Sequence, residues 1–149
     1  MKDEGREIQD LKTRTKQFAL RIIRLYGALP KTAEAQVIGR QVLRSGTSVG
    51  AHYREGSRAR SNAEFISKLE GGLQELEETR YWLELTVEAG ILPKGKMTKL
   101  FQEADELAAI LTTCVKNVKG RSVWFHPSSF TLHPSPNAKE HHERAEILG

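Results

Sequence analysis

Four rows of apolar residues, each spaced by threes and fours and each cut off by a helix breaker, constrain this chain more than any other feature. Ile8, Leu11, Thr15, Phe18, Ile22, Leu25 and Leu29 make the first row, which Pro30 stops. Ile38, Val42, Ser45, Val49 and His52 make the second, entered through Thr32 as N-cap and running to about Gly56. The third, Phe65, Leu69, Gly72, Leu76, Thr79 and Leu83, opens on Ser61-Asn62-Ala63-Glu64. In that capping box the serine and glutamate side chains satisfy each other's unpaired backbone amides. Gly90 and Pro93 end it. Met97, Leu100, Ala104, Leu107, Leu111, Val115 and Val118 make the fourth, ended by Gly120. Four such stripes joined by short turns predict an all-α fold, an antiparallel up-down-up-down four-helix bundle over residues 1–120. No strand pattern competes. Residues 121–149 hold three prolines and four histidines without a sustained apolar period. They are expected to be disordered or draped over the surface.

With 149 residues the chain suffices for one domain with a substantial core. No stretch approaches the roughly 20 apolar residues of a membrane span, so no membrane partner is expected. The start, MKDEGREIQD, is charged and lacks the apolar run of a signal peptide, which makes the cytoplasm the expected location. Cys114 lies one turn from Leu111 and Val118 and is expected to be a buried structural thiol.

The second helix contains RSGTSVGAHYREG, residues 44–56, where core-filling leucines would be the ordinary choice. Glycine inside a helix costs roughly 1 kcal/mol relative to alanine, so something must approach this surface closely. If the second and third helices turn about residues 60 and 61, facing positions sum to roughly 121, which sets Gly50 level with Gly71 and Val49 level with Gly72. Small residues at one level permit close backbone contact. On that basis Ser45, Ser48, Gly50, Tyr53, Gly71, Gly72, Tyr81 and Trp82 are candidates for helix packing or for an interface between subunits.

Net charge is +4, unevenly spread: residues 1–32 carry +4 and 33–60 carry +3, whereas 61–90 carry −5. Arg40, Arg44, Thr47, Ala51, Arg54 and Arg58 recur by threes and fours on the outer face of the second helix. Arginine forks match phosphate oxygens, so this stripe, with Arg14, Arg21 and Arg24 of the first helix, is a candidate nucleic-acid surface. The alternative is ion pairing with the glutamates of the third helix, within or between subunits. The level rule then sets Arg44 opposite Glu77 and Arg58 near Glu64. Lys12 and Lys16 add to the polar side of the first helix. Tyr53, Tyr81 and Trp82 lie on or beside the helical rows, where core or interface accounts for them as well as base stacking does.

Catalytic chemistry finds no foothold. His126, His133, His141 and His142 lack metal-ligand spacing. Gly71 and Gly72 lie inside a helix and lack the strand and lysine of a phosphate-binding loop. Glu70 and Glu77 share a face without a Glu-x-x-His companion, so neither a di-iron site nor any other cofactor is expected.

The run RSGTSVGAHYREGSRARSNAEFISKLEGGLQELEETRYWLEL, residues 44–85, resembles the four-helix bundle proteins encoded in intervening sequences of bacterial 23S ribosomal RNA genes. The likeness lies in S-x-x-S-V-x-A-H-x-x-E-G, the following arginine, S-x-x-E-F and Q-E-x-x-E-T-x-Y-W-L-E-L, and extends over about residues 8–120. His52 stands where the family usually has asparagine, and Leu69-Glu70-Gly71-Gly72 where it usually has Leu-Gly-x-Ala. The resemblance implies an antiparallel bundle assembled as a ring-shaped homopentamer with no known enzymatic activity. The family is also similar to the accessory variability protein of diversity-generating retroelements, a basic pentamer that works with a reverse transcriptase and binds nucleic acid. The expectation is a non-enzymatic accessory bundle that binds RNA or DNA; the alternative is a structural or protein-interaction ring.

Overall fold

Each expected helix forms, and α2 and α3 begin where their capping residues put them. The computed structural model describes the backbone of residues 2–121, 123–126 and 131–134 and the side chains of residues 11–121. Helix α1 spans Lys2–Ala28, α2 Ala33–Ser57, α3 Asn62–Glu88 and α4 Thr98–Lys119, with a 3₁₀ turn at Lys94–Lys96 before α4. Thr32 caps α2 by accepting the N–H of Ala35, and Ser61 caps α3 by accepting that of Glu64. The Glu64 carboxylate accepts the backbone N–H of Arg60, one residue before the cap. At the other end of α3, Gly90 adopts φ 71°, a left-handed conformation that glycine takes without strain. There Ile91 N–H donates to Thr86 O and Gly90 N–H to Val87 O, the paired bonds of a Schellman stop.

The contacts make each successive helix pair antiparallel. Thr15 meets Gly50 while Leu29 meets Gly39; Val49 meets Gly72 while Gly56 meets Leu69; Arg80 meets Asp105 while Lys119 meets Glu70. One hydrophobic cluster runs through all four helices, with Leu11, Phe18, Ile22, Val42, Val49, Phe65, Leu69, Leu76, Leu83, Leu107 and Leu111 fully enclosed. Cys114 is half-buried against this cluster. Tyr53 is buried near it, and desolvation, followed by the field of Cys114, pushes its phenol well above the ordinary tyrosine range.

Helix α2 lies between α1 and α3, and its small residues set both distances. A Cβ on Gly46 would stand 2.7 Å from Ile22 Cγ1, and one on Gly50 would stand 3.3 Å from Thr15 Oγ1 and 3.5 Å from the Thr15 carbonyl carbon. On the α3 side a Cβ on Gly72 would be 3.7 Å from Val49 O, and Ser45 Oγ and Thr79 Oγ1 are 2.8 Å apart. Each of those hydroxyls also reaches the carbonyl four residues back on its own helix, so the buried pair is satisfied. The expected meeting of Gly50 with Gly71 does not occur. The two are level, but Gly50 turns toward α1, and Gly71 faces the ring of His52. Summed positions give height along an antiparallel pair and carry no information about rotation round each axis.

Within the segment expected to lack regular structure, β1 (Val123–His126) pairs antiparallel with β2 (Thr131–Pro134). Its register runs from Val123 opposite Pro134 to His126 opposite Thr131. Val-Trp-Phe favours strand, but four residues are too short for alternation to show in the sequence. His141 and His142 lie outside the described residues.

These approaches separate two glycine substitutions. Gly50→Leu must push α1 away at Thr15 and should lose about 1–3 kcal/mol in chemical denaturation. Gly27 has nothing within 4 Å of its Cβ position, and Gly27→Ala should be neutral or stabilising by up to about 1 kcal/mol. Equal stability of wild type and Gly50→Leu would show that α1 and α2 do not meet there.

Candidate nucleic-acid interface

The α1–α2 contacts fix which charges share a surface. Thr15, Ile22, Tyr26 and Leu29 turn toward α2, whereas Arg14 turns toward α4. Its Nε lies 3.1 Å and its Nη2 2.5 Å from Glu103 Oε1, and Nη2 also lies 2.8 Å from Glu106 Oε2. Arg21 follows Arg14 by two turns and so shares that flank; Arg24, one turn further, lies at its outer edge. The seven arginines expected to act together therefore divide between two faces.

On α2 the stripe divides again. Arg44 is taken by α3: Nη1 is 3.1 Å from Glu75 Oε2, and Nη2 donates to Glu78. The expected opposite number was Glu77, but Glu75 and Glu78 flank it on the side of α3 that faces α2. Hydrogen bonding to Glu78 raises the Arg44 guanidinium above its ordinary value. The Arg44 bond, helped by the indole N–H of Trp82, holds the Glu78 carboxyl below the usual range.

Arg40, Arg54 and Arg58 are exposed, and their side chains have no hydrogen-bond or ion-pair partner among the described residues. The expected closeness of Arg58 to Glu64 is replaced by the bond from Arg60 N–H. Lys12 and Lys16 are exposed one turn apart, on the edge of α1 beside Thr15, and come level with Arg54 and Gly50. Residues 11–28, the part of α1 whose side chains are described, contain no Asp or Glu. Helix α2 has only Glu34 in its first turn and Glu55, which is ion-paired to Lys68 of α3 at 3.0 Å. Among the described residues, Lys12, Lys16, Arg40, Arg54 and Arg58 thus form a basic face without a facing carboxylate. Lys12 and Lys16 differ from Arg14 only in rotation about α1, which spacing alone does not supply.

The candidate packing and interface residues also separate. Ser45, Gly50, Tyr53 and Gly72 are buried inside the bundle. Ser48, Gly71 and Trp82 are half-buried at its α2–α3 seam, and Tyr81 is 53% exposed with its ring centroid 5.1 Å from that of Trp82. His52 lies across Gly71 in this seam, and its Nδ1 is buried without a hydrogen-bond partner. Among the described residues no group of three or more His, Cys, Asp or Glu is placed to hold a metal ion, and no helix is long and apolar enough to cross a membrane.

An antiparallel four-helix bundle with charged outer faces is the class this geometry defines. The chain belongs to the 23S rRNA-intervening sequence protein family, whose model matches residues 9–113. It is similar to a crystal structure of a protein of unknown function from the S23 ribosomal protein family of Bacteroides thetaiotaomicron. That protein shares 35% identity, covers 74% of this chain and 98% of its own, and superposes with a TM-score of 0.70. No curated protein matches.

The Arg44 cluster gives a pH signature. Because the Glu78 carboxyl is held low, the link stabilises the fold above the ordinary carboxylate range and is lost as pH falls through the depressed value. Arg44→Gln should therefore cost less than about 1 kcal/mol at neutral pH, as exposed pairs do. The difference should vanish once the pH has fallen through that depressed value. A deficit that persists in acid would show that Arg44 acts by packing.

Proposed function

We propose that this protein is a non-enzymatic, self-associating bundle that binds the backbone of RNA or DNA through its α1–α2 face. The observation that carries the reading is that Lys12, Lys16, Arg40, Arg54 and Arg58 meet no carboxylate among the described residues. Eighteen residues separate Arg40 from Arg58, about 27 Å of helix at 1.5 Å per residue. A duplex rising 3.4 Å per base pair offers about 8 pairs over that length. The described part of this face has no exposed aromatic ring, so recognition rests on phosphate rather than base stacking and tolerates sequence.

Self-association, as a homopentamer, is assigned to the α2–α3 seam. Ser48 and Gly71 make it flat, and Val37 (61% exposed) leaves apolar area of α2 in water. Repetition round an assembly would add the basic faces along one polyanion. Such a particle suits an accessory to a nucleic-acid-processing partner such as a reverse transcriptase. Arg14 and Arg44 support the alternative, a ring whose charges serve assembly, because both are already ion-paired within the bundle.

Binding of labelled single-stranded RNA and DNA at several salt concentrations decides between them. Each neutralised phosphate contributes roughly −0.7 to −0.9 to the slope of log K against log salt. Arg54→Gln with Arg58→Gln should flatten the slope by about 1.4 to 1.8, weaken all sequences alike, and leave the mass in light scattering unchanged. Salt-insensitive binding, or an oligomer loosened by this change, would favour the assembly reading.

A further inference from the structure

Between the last turns of α3 and the first turns of α4, beside the Gly90 stop and the 3₁₀ turn, lies a groove of about 450 Å³. Glu84, Val87 and Glu88 line one wall, Thr98, Phe101, Gln102 and Asp105 the other, and Lys94 stands at one end. The floor is apolar: Val87 and Phe101 are half-buried, packed against the core below. The rim is acidic. Asp105 is engaged by Arg80 at 2.9 Å, whereas Glu84 and Glu88 are exposed and have no hydrogen-bond or ion-pair partner among the described residues. Tyr81 and Glu77, both exposed, continue this edge one and two turns back along α3.

We propose that this groove docks a basic linear segment of a partner protein, one that places lysine or arginine beside apolar residues. Charge complementarity selects that occupant. An aliphatic stem covers Val87 and Phe101 while its cationic head meets Glu84 and Glu88, and a second cation one or two turns on meets Glu77 and the face of Tyr81. An apolar floor under two unneutralised carboxylates repels a phosphate backbone or an anionic lipid and accepts a peptide cation. The groove lies between α3 and α4 and the basic face on α1 and α2, so one bundle can hold nucleic acid and a basic protein segment together. The partner is thereby specified by chemistry and by face, independently of whether nucleic acid binds.

Fluorescence anisotropy with a labelled twelve-residue peptide carrying arginine at every fourth position among leucine and alanine tests the groove, with glutamate replacing arginine in the control peptide. The arginine peptide should bind the full-length protein saturably, and the control should not. Glu84→Gln with Glu88→Gln should weaken binding at least tenfold while leaving melting temperature and RNA affinity unchanged. Arg54→Gln with Arg58→Gln should leave peptide binding unaltered. An arginine peptide that fails to bind, that binds the Glu84/Glu88 variant equally well, or that RNA displaces would overturn the proposal. Loss of RNA binding alone would leave it standing.

Discussion

The close approach of α2 to both of its neighbours governs the rest of this molecule. Gly46 against Ile22, Gly50 against Thr15, and Ser45 against Thr79 let three backbones come together with few side-chain layers between them. Glycine's propensity cost in α2 is offset by this contact and by the dispersion gained where atoms meet at van der Waals distance. The same approach fixes the rotation of α2 about its axis. That rotation decides which arginines reach α3 and which remain in water.

Charge separation across the bundle is therefore a consequence of packing. Arg44 falls on the α3 side and is neutralised by Glu75 and Glu78; Arg54 and Arg58 fall outside that reach. On α1, Arg14 falls toward α4 and is neutralised by Glu103 and Glu106, while Lys12 and Lys16 border α2 and meet no carboxylate among the described residues. What is left over is a basic face on α1 and α2 and, between α3 and α4, an acidic groove where Glu84 and Glu88 have no ion-pair partner among the described residues.

Much of this was legible in the sequence, and the remainder was hidden for a definable reason. The rows from Leu11 to Leu29 and from Met97 to Val118 are the buried ones apart from the half-buried Leu25, because a 3.6-residue period allows each helix a single core-facing stripe. Thr32, Ser61 and Gly90 mark helix ends because their local chemistry satisfies backbone groups without help from distant residues. The level rule worked for Val49 with Gly72, since height follows from a constant rise per residue. It set the heights of Gly50 with Gly71 and of Arg44 with Glu77 without bringing either pair into contact, because rotation depends on the whole set of packed side chains. The groove left no periodic trace: Val87 and Phe101 sit beside the core rows, and only the pairing of α3 with α4 brings them together as a floor.

The central claim is that nucleic acid meets the face that packing left unpaired. Titrating isotopically labelled protein with a single-stranded oligonucleotide and following backbone and arginine Nε–H resonances locates the contact residue by residue. The account predicts shifts at Lys12, Lys16, Arg54 and Arg58, with Arg14, Arg44 and the Glu84–Asp105 groove unmoved. Shifts concentrated on the α4 flank of α1 around Arg21 and Arg24, or none on α2, would contradict it.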